Sequence, residues 1–192
     1  MKKDRLAAFS DGVIAIIITI MVLELKVPHG VALSDLTDQI PAFLSYALSF
    51  IYIAIYWNNH HHMLHTVKHV NGAILWANTH LLFWLSLIPW ATAWTDENHF
   101  AKMPTAIYGV DLLMASLAYF LLQATIIRTQ GPGSVLAKAV GRDIKGKISP
   151  VLYAAAIVLA FVNPLIANAI YALVAAMWLV PDRRIERMLE EG

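Results

Sequence analysis

Of 192 residues, 59% are apolar and only 14% charged, and the mean hydropathy is +0.61, a balance that argues against a soluble enzyme. With 14 basic and 13 acidic residues, the net charge of +1 offers no basic field for nucleic acid, so none is expected as a partner. No cysteine is present, which excludes disulfides, thiolate nucleophiles and Cys-ligated metals.

A helix rises about 1.5 Å per residue, so about 20 residues cross the hydrocarbon layer of a bilayer. On that ruler the chain divides into six predicted spans, an all-α membrane bundle forming one domain over 1–192. The first, 6–25, is too long for the apolar core of a signal peptide and lacks a small-residue cleavage pattern, so it is expected to stay in the protein. The second, 41–64, ends among histidines, and the third and fourth cover 73–95 and 106–127. Gly131-Pro132-Gly133 then opens the longest loop, whose basic residues suit anionic lipid headgroups. The last two, 148–162 and 165–180, are short, and Asn163-Pro164 between them predicts a tight helical hairpin.

Orientation follows from the basic residues, because positive loops stay cytoplasmic. Lys2, Lys3, Arg5, Lys68, Arg128, Lys138, Arg142, Lys145, Lys147, Arg183, Arg184 and Arg187, twelve of the fourteen, all fall on one side. Only Lys26 and Lys102 fall on the other, beside Asp35, Asp38, Asp96 and Glu97. Both termini are therefore expected in the cytoplasm.

An ionisable group at the bilayer centre costs roughly 2.5 to 3.5 kcal/mol on insertion scales, so charged residues inside spans mark where function concentrates. The first span carries Asp11 in its inner half and Glu24 at its outer end. At about 100° per residue, with Ile16 at zero, Ile20 lies near +40°, Leu23 near −20°, Gly12 near −40° and Thr19 near −60°. These five share one narrow face. Asp11 falls about 140° away and should turn back into the protein toward a partner. Periodicity alone reads such an Ile/Leu stripe as lipid-facing or core, and Asp11 as a strut between helices.

Arg5, Phe9-Ser10-Asp11, Ile16, Thr19 and Leu23 fit the signature Arg-xxx-Phe-Ser-Asp-xxxx-Ile-xx-Thr-xxx-Leu at every fixed position. This signature resembles that of the transmembrane protein 175 family, the endolysosomal potassium channels and their prokaryotic relatives. Further along, Trp57-Asn-Asn-His60-His61 is similar to the family's Trp-xx-His-His. Leu75-Trp76-Ala77-Asn78 with Pro89 and Thr92 resembles its third span, and Ile107-Tyr108 its fourth. The likeness covers roughly Arg5 to Leu122, and beyond that only hydropathy matches.

The resemblance implies a potassium-permeable cation channel, not an enzyme, in the plasma membrane of a prokaryotic cell. It further implies a homotetramer of six-span subunits whose first helices line a central pore, with potassium and other monovalent cations as permeant species and no cofactor. Ile16, Thr19, Ile20 and Leu23 would face the axis, with Ile16 at the hydrophobic constriction. Ala8, Gly12, Ala15 and Thr19 form a small-residue track that permits close helix approach. Glu24 at the outer mouth could concentrate cations, or simply be an interfacial carboxylate near Lys26. Arg5, Ser10, Asp11, Trp57, His60, His61 and Asn78 look like the family's interhelical polar network. No Thr-Val-Gly-Tyr-Gly loop exists to build a carbonyl filter, so discrimination is expected to come from pore width and dehydration, and to be modest.

His60, His61, His62, His65 and His69 cluster at the end of the second span, with helical i,i+4 pairs suited to a divalent metal. They raise an alternative, a divalent-cation (zinc-type) transporter with a cytoplasmic His-rich segment, although the fifth and sixth spans lack ionisable ligands. A haem carrier using His80 is a further rival, but His80 has no partner pair at matched depth. The simplest reading of the cluster is a polar helix end that titrates near neutrality, with no metal site assigned. Of the tryptophans, Trp90 and Trp94 fall where an interfacial belt is expected.

Overall fold

The computed structural model describes residues 2–141 and 143–179. Arg142, Val180 at the end of the sixth predicted span, and Arg183, Arg184 and Arg187 lie outside the described residues. The described chain is helical: α1 (Lys3–Leu23), α2 (Leu33–Thr37), α3 (Ile40–His65), α4 (Gly72–Glu97), α5 (Lys102–Gln130), α6 (Val135–Val140), α7 (Ile144–Val162) and α8 (Pro164–Leu179). Five of these, α1, α3, α4, α5 and α7, are long and apolar enough to cross a membrane, and α8 is a shorter apolar helix.

Local chemistry sets the boundaries. Asn71 caps α4 by accepting from the Ile74 amide at 2.9 Å, and Ser134 and Asp143 cap α6 and α7 in the same way. Between α7 and α8, Asn163 leaves the helical conformation and its side chain accepts from the Leu165 amide at 2.9 Å, while Pro164 takes the first helical position. The expected hairpin follows: Trp178 near the end of α8 donates to Ser149 near the start of α7 at 2.9 Å, so the two helices run antiparallel. Two short helices were not expected. In the loop after α5, α6 buries Leu136 and Ala139 beneath a stretch read as a plain linker. The exposed α2 is held by Asp35, which accepts from the Ala32 amide at 2.9 Å.

The centre of the bundle is α5, which packs against α4, α6, α7 and α8. Small residues make the close approach possible: Gly109, Ala115 and Ala118 on α5, Ala156 and Ala160 on α7 and Ala167 on α8 are all buried. Hydroxyls stitch the same region together. Thr92 gives its proton to the Ile88 carbonyl, so Ser49 must donate to Thr92 at 2.7 Å and Tyr108 in turn to Ser49 at 3.0 Å. Tyr52 donates to the Tyr171 carbonyl at 2.6 Å, and Tyr171 to that of Thr105 at 3.2 Å. These bonds tie α3, α4, α5 and α8 together.

A Cβ at Gly109 would fall on the hydroxyl and ring of Tyr171 and on Ile157. Gly109→Ala therefore displaces the Tyr171 hydroxyl from its hydrogen bond to the Thr105 carbonyl, and should lower stability by about 1–3 kcal/mol as an overpacked core does. Thermal unfolding in detergent measures it; an unchanged midpoint would mean α8 yields freely.

Among the described residues, α1 sits at the periphery and packs chiefly against α3 and α4. Its buried residues, Leu6, Ser10, Ile14, Ile17 and Met21, recur every three or four positions and form one stripe. Ala7, Val13 and Ile18 flank that stripe half-buried, and the opposite face is exposed.

Candidate functional site on the first helix

The uncovered face of α1 holds the residues that share a face in the sequence. Ile16 is 58% exposed, Ile20 44% and Leu23 79%, and Thr19 is exposed among them. Ala8, Gly12 and Ala15 lie along the same side, also exposed, with nothing within 4 Å of where a Gly12 Cβ would stand. The Thr19 hydroxyl donates to the Ile16 carbonyl within its own helix at 2.9 Å. Its proton is thereby used, and its lone pairs are left for a donor or cation on the outer side.

Glu24 caps the C-terminal end of this helix and is exposed. It does not pair with Lys26, whose ammonium reaches Glu97 at the end of α4 instead, at 3.3 Å. Glu24 lines a groove between α1 and α4 together with Ile16, Ile20, Pro89 and Trp90. Trp90 stacks on Trp94 with ring centroids 5.4 Å apart at the end of α4, where a belt was expected.

The seven residues expected to form one polar network separate into three groups. Ser10, Asn78 and His60 make a buried chain across α1, α4 and α3. Ser10 gives its only proton to the Leu6 carbonyl at 2.9 Å, so it must accept from the Asn78 amide at 2.9 Å. The Asn78 carbonyl oxygen then receives from His60 at 2.7 Å, which places the imidazole proton on Nε2. Asp11 and Trp57 make a second group at the rim, not in the core: Asp11 is half-buried, Trp57 is 43% exposed, and the indole donates to the carboxylate at 2.9 Å. His61 joins this pair through its ring, 5.8 Å from Trp57. Arg5 stands apart, exposed and without a hydrogen bond or ion pair among the described residues. Its side chain points away from the neighbouring helices, so among these positions it is Ser10 and Asp11 that hold α1 to the other helices.

His80 accepts from Trp84 at 2.9 Å on its own helix, which engages the nitrogen a haem iron would need. Among the described residues, no three of His, Cys, Asp and Glu come together as a metal-binding group.

One acidic residue escaped the sequence reading. Asp111 in α5 is 4% exposed, and neither carboxyl oxygen has a hydrogen-bond partner. It lies within electrostatic reach of Tyr56 and Tyr108. An unpartnered carboxyl in a dry interior is a costly feature. Its signal was present: an acid inside an apolar run, the same criterion that singles out Asp11.

Residues 5–89 match the family model described as "Endosomal/lysosomal potassium channel TMEM175". The chain is 56% identical over 192 residues, all of both proteins, to one named a potassium channel from Chryseobacterium sp. (strain P1-3). Another protein named a potassium channel, from Streptomyces collinus, is 33% identical over 136 residues, 67% of this chain and 66% of that one. The fold matches the crystal structure of a lysosomal potassium-selective channel TMEM175 homolog from Chamaesiphon minutus with a TM-score of 0.83 and 26% identity, covering 94% of this chain and 97% of that one.

Proposed function

The chain belongs to the TMEM175 family and is a multi-pass membrane potassium channel, and on that premise we propose that ions cross along the exposed face of α1 at the axis of a homotetramer. Each subunit contributes six spans, α1, α3, α4, α5, α7 and α8, with both termini in the cytoplasm. The membrane is the plasma membrane of a prokaryotic cell, and lipid surrounds the remaining apolar surface. No cofactor takes part.

One observation carries the reading. α1 buries one stripe against α3 and α4, and it leaves Ile16, Thr19, Ile20 and Leu23 uncovered beside a track of small residues. Lipid needs no small residues in its way, whereas a helix meeting other helices does. Four such faces around an axis put four Ile16 side chains in a ring. A narrow ring of branched apolar groups expels water, so an ion there loses its hydration without gaining ligands, and the path is shut. Tilting or rotating α1 outward by a small amount rewets it. Thr19, with its proton held by the Ile16 carbonyl, offers lone pairs to a passing cation. Unpaired with Lys26, the four Glu24 carboxylates raise the cation concentration at the outer mouth. Potassium passes by these means, other monovalent cations less readily.

The test is potassium-driven flux in liposomes holding the purified protein, run beside a Gly12→Leu variant. The open space at Gly12 predicts that the variant folds as a protomer but fails to assemble and to conduct. A Gly12→Leu protein that conducts normally, or flux that requires a proton gradient or carries divalent metal instead of potassium, overturns the reading.

A further inference from the structure

The histidine cluster at the end of α3 has a geometry that conduction does not use. His61 and His65, one helical turn apart, bring their rings to a centroid separation of 4.5 Å at 63°. Two imidazoles spaced i,i+4 on one helical face are the arrangement by which a helix offers a pair of nitrogens to one transition-metal ion. The neighbouring histidines are differently engaged. His60 is buried and spends its Nε2 proton on Asn78. His62 presents its ring edge-on to His61 at 5.8 Å and has a further interaction of its own. The charged groups close to His65 are Lys3 and Asp4, and the Asp4 carboxylate offsets part of the Lys3 charge.

The turn that carries the pair is tied to α1 in two ways, once through Trp57 of the same helix and once through the His65 backbone. The His61 ring lies 5.8 Å from that of Trp57, whose indole donates to Asp11 at 2.9 Å. The Lys3 ammonium reaches the His65 carbonyl at 3.5 Å. An ion drawn between the two imidazoles would stiffen the last turn of α3, and with it the Trp57 indole and the His65 carbonyl that hold the first turns of α1.

We infer that His61 and His65 form a two-histidine site for a divalent transition metal, completed by water, and that filling it locks α1 and lowers conduction. The second half rests on α1 being the pore helix; the first does not. The site is regulatory, distinct from the permeant path, and takes soft to borderline ions such as Ni²⁺ or Zn²⁺ in preference to Mg²⁺ or Ca²⁺, which favour oxygen ligands.

Titration calorimetry of the untagged protein with Ni²⁺ should give one ion per chain. His61→Ala and His65→Ala should each weaken binding by about tenfold or more, and His62→Ala by much less. Binding that survives both substitutions, or that follows His62 or His69 instead, overturns the site. In liposomes, Ni²⁺ should cut potassium flux several-fold in the parent chain and leave His65→Ala unaffected, while Mg²⁺ affects neither. Flux in the parent chain that ignores Ni²⁺ overturns the lock. Nickel binding at this pair in a protein that passes no potassium even without metal would count against the channel reading alone, so the two failures separate.

Discussion

Reconstituted Ile16→Asn protein should pass potassium at least about tenfold faster than the parent chain, which corresponds to removing about 1.4 kcal/mol from the barrier. The Ile16 side chain lies 58% uncovered on the subunit, so a polar replacement disturbs little packing within it. Its effect falls on whatever faces Ile16 in the assembly. Where four copies make a dewetted ring, four amides supply donors and acceptors that keep water in place, and the ion no longer sheds its shell without compensation. Discrimination between potassium and sodium should fall in parallel, because dehydration is its source. Liposome flux with each cation in turn reads both effects. If Ile16→Asn conducts like the parent, the constriction is elsewhere; Leu23→Ala is then the next position to change.

Asn78→Ala should be the most destabilising of the network substitutions. The fully buried side chain joins α1 to α3 through α4, and its loss strands the Ser10 oxygen and the His60 Nε2–H in the interior. At about 1–3 kcal/mol for each orphaned group, together with the cavity left behind, the loss should exceed about 3 kcal/mol. Ser10→Ala orphans only the Asn78 amide proton and should cost less. Trp57→Phe should cost least, since Asp11 and Trp57 lie at the rim, where water can replace the indole. Unfolding midpoints in detergent should therefore fall in the order Trp57→Phe, Ser10→Ala, Asn78→Ala, the last lowest. Equal losses at Trp57 and Asn78 would mean that the rim pair is as dry as the core.

The long spans and the face of α1 could be read from the chain because both depend on local rules: hydropathy over a fixed length, and about 100° of turn per residue. Asn163-Pro164 was equally readable, since a proline fixes where a helix starts. Pairing between helices was not. Lys26 is two residues from Glu24 in sequence, yet it bonds Glu97 because the end of α4 lies beside the end of α1. Arg5 shares the signature with Ser10 and Asp11, but only the latter two lie where α3 and α4 can meet them. Nor did the sequence divide the polar positions into a buried chain and an exposed rim, because that depends on which helix covers which. The α6 helix had its signals, a Ser134 cap and apolar Leu136 and Ala139, but six residues are too few for periodicity to speak. Asp111 needed only the charge criterion applied to every span.

The chain has no cysteine, so a single thiol can be placed anywhere without background. Cysteines at Ile16, Ile20 and Leu23, with Phe50 on the outer surface of α3 as the control, can be exposed to a charged, membrane-impermeant thiol reagent while potassium flux is followed. Cysteines at Ile20 and Leu23 should be modified from the aqueous phase and flux should be blocked, Ile16→Cys should react as the path opens, and Phe50→Cys should stay silent. If the three α1 positions are as unreactive as Phe50→Cys, that face of α1 meets lipid and the ions cross elsewhere.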